Sequence, residues 1–218
     1  MKTFLKKYSH AWVLSYAFIY MPWFLYLEKT VTSDYTVMHV ALDDYIPFNE
    51  NFIIPYLLWF LYMAGFIMYF FFTNRQDYYK LCAFLFSGMT ICLLVCTFFP
   101  NGTDLRIPVD SSKNLCSKLV AMIHAADTST NVFPSIHAFN SLGIHFAVIN
   151  SNRLKNKIWL RLGSLILMTA ICLSTVVLKQ HSVIDVFGAV ILAYIIYPLV
   201  YGTNYVSNKK TIQEKALG

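Results

Sequence analysis

The chain has 218 residues, of which 57% are hydrophobic, 17% aromatic and 13% charged, with a formal net charge of +6. A soluble domain carries about 25% charged residues, so there is too little charge here to coat a globular surface, and disorder, a collagen-like repeat and a disulfide scaffold are excluded as well. The basic residues fall in short runs beside apolar stretches, the pattern of membrane topology and not of nucleic-acid binding. The class that remains is an all-α, polytopic integral membrane protein.

A helix needs about 20 mostly apolar residues to cross the hydrocarbon core. Six stretches are expected to do so, at roughly 11–28, 52–72, 81–100, 135–150, 158–178 and 183–201. The first follows Lys2, Lys6 and Lys7 in the manner of a signal peptide. Its end, Leu25-Tyr-Leu-Glu28, offers no small-x-small cleavage site, so it is expected to stay attached. The fourth is short and carries His137, Asn140 and His145. One bundle of this size reads as a single membrane domain over 1–218, with a catalytic core at about 81–201 and a cytoplasmic tail at 203–218.

Lysine and arginine set the orientation. The N-terminus, 73–80, 151–161 and the tail hold 12 of them, and the alternate loops hold Lys29, Arg106, Lys113, Lys118 and Lys179, so the ratio is 12 to 5. By the positive-inside rule both termini are expected in the cytoplasm, with the plasma membrane as the simplest location. Segments 29–51, 101–134 and 179–182 then face outward. The first of these is acidic, with Asp34, Asp43, Asp44 and Glu50. Within the second, 115–126 has the periodicity of an interfacial helix. The five cysteines form no C-x-x-C pair and no metal spacing, and four of them lie in apolar runs, as small core hydrophobes do.

Ionisable groups at membrane depth cost about 2.5–3.5 kcal/mol each on insertion scales, so they are candidates for function. The expected topology brings Arg106, His137, Lys179, His181 and Asp185 to one level, the outer face. His181 and Asp185 are four apart, close enough to meet. A carboxylate on one imidazole nitrogen fixes the tautomer and frees the other nitrogen as base or nucleophile. His137 is then a second imidazole able to act as general acid, and Arg106 and Lys179 supply positive charge for an anion. That set suits phosphoryl transfer through a phosphohistidine, with a bell-shaped pH profile. Against it, a lone His-x3-Asp pair is more often structural, Pro134 before Ser135 is what a helix start looks like, and His145 needs only a hydrogen bond to a neighbouring span. His10, His39 and His124 read as interfacial, and aromatic residues near span ends as membrane belts.

Two motifs carry a resemblance. Asn131-Val-Phe-Pro-Ser-Ile-His137 resembles the Pro-Ser-x-His motif of the type 2 phosphatidic acid phosphatase superfamily, and Ser174-Thr-Val-Val-Leu-Lys-Gln-His181-Ser-Val-Ile-Asp185 resembles its Ser-Arg-x5-His-x3-Asp motif. The resemblance implies six spans, an outward-facing active site and no metal or cofactor. It implies His181 as nucleophile, Asp185 as the group that orients it, His137 as the acid for the leaving alcohol, and Ser135 and Ser174 as phosphate-cradling residues. The chain departs from the pattern at Thr175, where the motif has arginine, at Ile136, where glycine is usual, and at Phe99, where lysine is expected; only Asp104-Leu-Arg106-Ile-Pro108 remains of the first motif. Lys179 is a replacement for the lost charge on grounds of proximity in sequence. Phe-Pro-Ser-Ile-His, Lys-Gln-His and the loop Asp43-Asp44-Tyr-Ile-Pro-Phe, with Pro55, Tyr56 and Trp59, look more like the inositol phosphorylceramide synthase branch and its bacterial relatives.

The leading expectation is therefore a lipid phosphatase acting at the outer membrane face, whose partners are the bilayer and a lipid substrate. A lipid headgroup phosphotransferase uses the same His/His/Asp set, and a catalytically dead lipid-binding member is a further alternative. A metal enzyme built on His181, Asp185 and His137 is a different class, disfavoured by the small number of histidines. A secondary transporter lacks its paired half-repeats, and a serine protease using Ser135 lacks a glycine-flanked nucleophile. Asn101-Gly-Thr103 reads as a glycosylation acceptor in a secretory pathway.

Overall fold

The structure, a computed structural model, describes residues 8–216, with side chains from 8 to 202. Lys2, Lys6 and Lys7 of the orientation count lie outside the described residues, and Lys209, Lys210 and Lys215 outside the described side chains. The chain is mostly helical. A 3-10 segment, Ser9–Tyr16, runs into α1 (Ala17–Thr30), and a short α2 (Ala41–Tyr45) sits in the loop that follows. Then come α3 (Ile53–Thr73), α4 (Arg75–Phe98), α5 (Leu115–Ala126), α6 (Ile136–Asn150), α7 (Ile158–Val177) and α8 (Val183–Ala216). Among the described residues four stretches are long and apolar enough to cross a membrane: Glu50–Thr73, Arg75–Phe98, Ile158–Val177 and Val183–Gly202.

The other two expected spans look different. Residues 9–30 are helical but change from 3-10 to α at Ala17, and Pro22 lies inside α1. Helix α6 has only 15 residues, and it packs against α3, α4, α7 and α8. Ala138, Phe139, Ser141, Gly143 and Ile144 are all buried along it, so α6 is the hub of the bundle and is sheathed by protein. Its approach to α4 depends on Gly88, where a Cβ would come within 2.0 Å of the Phe139 ring. That ring is held in turn by stacking on Phe84 at 4.9 Å. His145 meets the Ser164 hydroxyl of α7 at 3.1 Å, with Tyr62 of α3 on the same hydroxyl, the plain inter-helix role. His10, expected at the interface, is instead buried, its Nε2 2.9 Å from the Phe71 carbonyl.

Caps set the helix starts where hydropathy misleads. Helix α4 begins six residues before the expected 81 because the Asn74 side chain accepts from the Gln76 and Asp77 amides, and Asp77 suits the positive end of the helix dipole. Asn114 caps α5 by accepting from the Ser117 amide at 2.8 Å. Ser135 caps α6 through Ala138, at 3.4 Å.

The all-helical expectation overlooks a small pairing at the end of the bundle where these loops meet. Two-residue strands β1 (Thr36–Val37) and β2 (Asn101–Gly102) run parallel, and Gly102 also bridges to Thr130. Gly102 leaves room for the Tyr35 ring, which a Cβ would meet at 2.6 Å. Asn101 is fully buried: Oδ1 accepts from the Phe133 amide and Nδ2 donates to the Phe99 carbonyl, both at 2.8 Å. The expected glycosylation acceptor is therefore closed to a glycan in the folded protein, its amide nitrogen being consumed internally.

Candidate active site

The loop from α7 to α8 and the start of α6 converge on one point. The Thr175 carbonyl accepts from the amides of both Gln180 and His181, closing a tight turn in which Lys179 takes a left-handed φ of 58°. Helix α8 then opens with Ser182 and Asp185 in reciprocal contact: the Ser182 amide donates to Asp185 Oδ2 at 2.9 Å, and the Asp185 amide to the Ser182 carbonyl at 3.1 Å. The same Oδ2 lies 3.3 Å from His181 Nδ1. A carboxylate only accepts, so Nδ1 carries the hydrogen and Nε2 keeps its lone pair. The Ser135 amide donates to the Asp185 carbonyl at 3.1 Å, tying the start of α6 to that of α8. His137, on the first turn of α6, is thereby set 5.8 Å from His181 between ring centres.

His137 is sandwiched by aromatic rings from α3, Tyr56 at 4.8 Å and Trp59 at 4.4 Å. Aromatic residues near span ends are expected as membrane belts, but these two face an imidazole. Tyr56 and Trp59 are three apart, so one face of α3 presents both to the histidine. Both histidines border a cavity of about 380 Å³. Its polar lining includes Arg106, Asp127, Asn131 and Gln180, and its apolar lining includes Tyr20, Met21, Phe24 and Phe60 from α1 and α3.

Arg106 organises the polar lining. Its Nη1 donates to the Asp127 carbonyl at 2.6 Å, and its Nη2 to the Thr128 carbonyl and Gln180 Oε1, both at 2.7 Å. Burial pulls the guanidinium below its ordinary pKa, which still leaves a cation. Asp127, whose carboxylate is 3.9 Å from Arg106, is pushed up by burial, with Glu28 adding to the rise and Arg106 opposing it. Glu28 braces the 128–131 loop by accepting from Thr128 Oγ1 at 2.6 Å and Asn131 Nδ2 at 3.0 Å.

The expected site residues thus divide. His137, His181 and Arg106 border the cavity, and Asp185 lies fully buried behind His181. Ser135, Ser174 and Lys179 are not among the residues that line it. Ser135 serves as a cap, and Ser174 Oγ donates to the Ile171 carbonyl of its own helix at 2.7 Å. The Lys179 ammonium, expected to replace a lost charge at the phosphate, donates instead to the Asp43 carbonyl at 2.6 Å. Among the described residues no three His, Cys, Asp or Glu side chains group to hold a metal ion.

Asp43 is the residue that reasoning from local patterns undervalued. It is fully buried, and its carboxylate accepts from Ser182 Oγ at 2.5 Å, from the Val183 amide at 2.8 Å and from the Val40 amide at 2.9 Å. It caps α8 from 140 residues away. Its sequence signals were its place in an acidic loop and the resemblance of Asp43-Asp44-Tyr-Ile-Pro-Phe to one branch of the superfamily, neither of which points to the start of α8.

No curated protein and no solved structure matches the chain. Residues 100–209, which hold both histidine motifs, match the PAP2 superfamily, whose members are generally phosphatase-type enzymes. That match spans half of the 218 residues, and the chain belongs to the PAP2 superfamily.

Proposed function

We propose that the protein is a membrane-embedded lipid phosphatase working through a phosphohistidine, with one catalytic domain. The observation that carries this reading is the pair of imidazoles at one cavity, His181 backed by Asp185 and His137 5.8 Å away, with Arg106 in the same lining. In the first step His181 Nε2 forms a bond to phosphorus as the bond to the lipid oxygen breaks. The electron pair stays on that oxygen, which takes a proton from the imidazolium of His137. Water then attacks the phosphohistidine, returning its proton to His137, and inorganic phosphate leaves.

Lipid reaches the cavity sideways, between α1 and α3. Both line the cavity, while α1 packs chiefly on α4 and on its own 3-10 segment. Six spans fit the lengths. Residues 9–30, eight in 3-10 and 14 in α form, extend roughly 37 Å at 2.0 and 1.5 Å per residue, enough for a core of about 30 Å. The short α6 has protein on its sides and need not match lipid. The lysine and arginine count supports both termini in the cytoplasm and the site facing outward, with the plasma membrane as the simplest location.

A second reading is phosphotransfer to a lipid alcohol, as in the inositol phosphorylceramide synthase branch. It is favoured by the position of Asp43, Tyr56 and Trp59, the loop and helix residues that resemble that branch, all of which support the two histidines. The deciding experiment is phosphate release from a panel of lipid phosphates by detergent-purified protein in EDTA, with His181→Ala alongside. Release by the wild type and none by the variant supports the phosphatase. If nothing is released until a ceramide or diacylglycerol acceptor is added, the transferase reading stands, and no product in either assay leaves a lipid-binding protein without catalysis.

A further inference from the structure

We infer that the side-chain amide of Gln180 is a catalytic hydrogen-bond donor to the phosphoryl group in transfer, an inference that rests on the phosphatase reading above. Gln180 immediately precedes His181, and both amides bond to the Thr175 carbonyl, so the two side chains leave the same tight turn. It is 3% exposed and borders the cavity that His137 and His181 border.

The orientation of an amide is ordinarily ambiguous between oxygen and nitrogen. Here it is not, because a guanidinium has donors and no acceptor. The atom 2.7 Å from Arg106 Nη2 must be Oε1, which turns Nε2 away from Arg106. Among the described residues that Nε2 has no hydrogen-bond partner. Buried polar groups are nearly always bonded, so a buried two-hydrogen donor without a partner, on a residue that borders the cavity, calls for an acceptor that arrives from outside the chain. Arg106 Nε, in the same lining, is unpartnered in the same way.

The other donors near the turn each have a partner within the chain, and none of them borders the cavity. Lys179 is bonded to Asp43, Ser174 to Ile171 and Thr175 Oγ1 to the Cys172 carbonyl. As the His181 Nε2–P bond forms and the bond to the leaving oxygen breaks, charge shifts over the non-bridging oxygens. Fixed neutral donors in a site screened from water stabilise that charge without reorganising. Arg106 holds Gln180 in place for this task and contributes its own charge beside it.

The test turns on Gln180→Glu. This variant keeps an acceptor for Arg106, replaces the donor by an anion and preserves the shape. If Gln180 only positions Arg106, Q180E raises KM by repelling the anionic substrate but keeps the kcat of the wild type, and Gln180→Met keeps it too. If it donates to the phosphoryl group, kcat for lipid phosphate falls about 10²–10³-fold, the range for loss of one such donor. Inhibition by orthovanadate, a phosphate analogue, then weakens at least about tenfold. Gln180→Met, neutral and without a donor, gives the same direction with a smaller loss, and serves if Q180E does not fold. Either variant keeping more than about a third of wild-type kcat, with vanadate inhibition of Gln180→Met unchanged, overturns the assignment while leaving the phosphatase reading intact. A wild type that releases no phosphate and binds no vanadate overturns both.

Discussion

Replacing Asp43 by alanine tests how the turn that carries His181 is held. The Asp43 carboxylate accepts from Ser182 Oγ, the Val183 amide and the Val40 amide. The first two donors belong to the start of α8, beside His181, and lose their partner when the side chain is cut to a methyl. Each unsatisfied buried donor costs about 1–3 kcal/mol, so the pair amounts to about 4 kcal/mol. For a chain of this size one kcal/mol moves the melting midpoint by about 2–4 °C, so Asp43→Ala should melt about 8–16 °C below wild type in the same detergent. Asp43→Asn keeps one acceptor oxygen, and the Ser182 hydroxyl can rotate to accept from the new amide, so it should fall in between. Hydrogen exchange gives the location: amides across 180–186 should lose protection in Asp43→Ala, while those of α4 keep theirs. A melting midpoint within about 2 °C of wild type, with unchanged protection over 180–186, would refute the claim that this contact holds the turn.

Two further outcomes follow from the packing and the charges. Gly88→Val drives methyl groups into the tip of the Phe139 ring, which is stacked on Phe84. Overpacking of this kind costs about 1–3 kcal/mol or more, to be read as a lowered melting midpoint against Gly65→Ala, where nothing lies within 4 Å of the added carbon. His39 joins Asp44 at 2.9 Å and Asp104 at 3.1 Å, and its hydrogen bond to Asp44, with the charge of both carboxylates, raises its pKa above the ordinary 6.5. A raised folded-state value means that the clamp is complete below about pH 6.5 and is lost as pH rises through the raised value. Exchange rates of amides 36–45, corrected for intrinsic pH dependence, should rise across that interval, and His39→Asn should abolish the step.

What the sequence disclosed depended on how local each interaction is. The pairing of His181 with Asp185 was legible because four residues of helix bring such groups together. The four longest apolar runs were legible by hydropathy, and the start of α4 was missed by six residues because a capping Asn74 outweighs the polar run after it. The contact of Lys179 was illegible for a different reason. The residue's left-handed backbone sits in a turn, and its partner is the carbonyl of a residue 136 positions earlier. The same distance hid Asp43. Asn101 matched a modification motif that says nothing of burial, and Tyr56 and Trp59 look the same in sequence whether they face lipid or an imidazole.

The α1–α3 lining and the histidine pair come from different parts of the chain. Both histidine motifs lie within the family match of 100–209, whereas Tyr20, Met21, Phe24, Tyr56, Trp59 and Phe60 all precede it. Asp43, which steadies the turn, precedes it too. The two parts can therefore diverge at different rates under selection. A relative that keeps 100–209 and rewrites its first sixty residues would present the same pair of imidazoles to a differently shaped compartment, and the family match alone would not register the change.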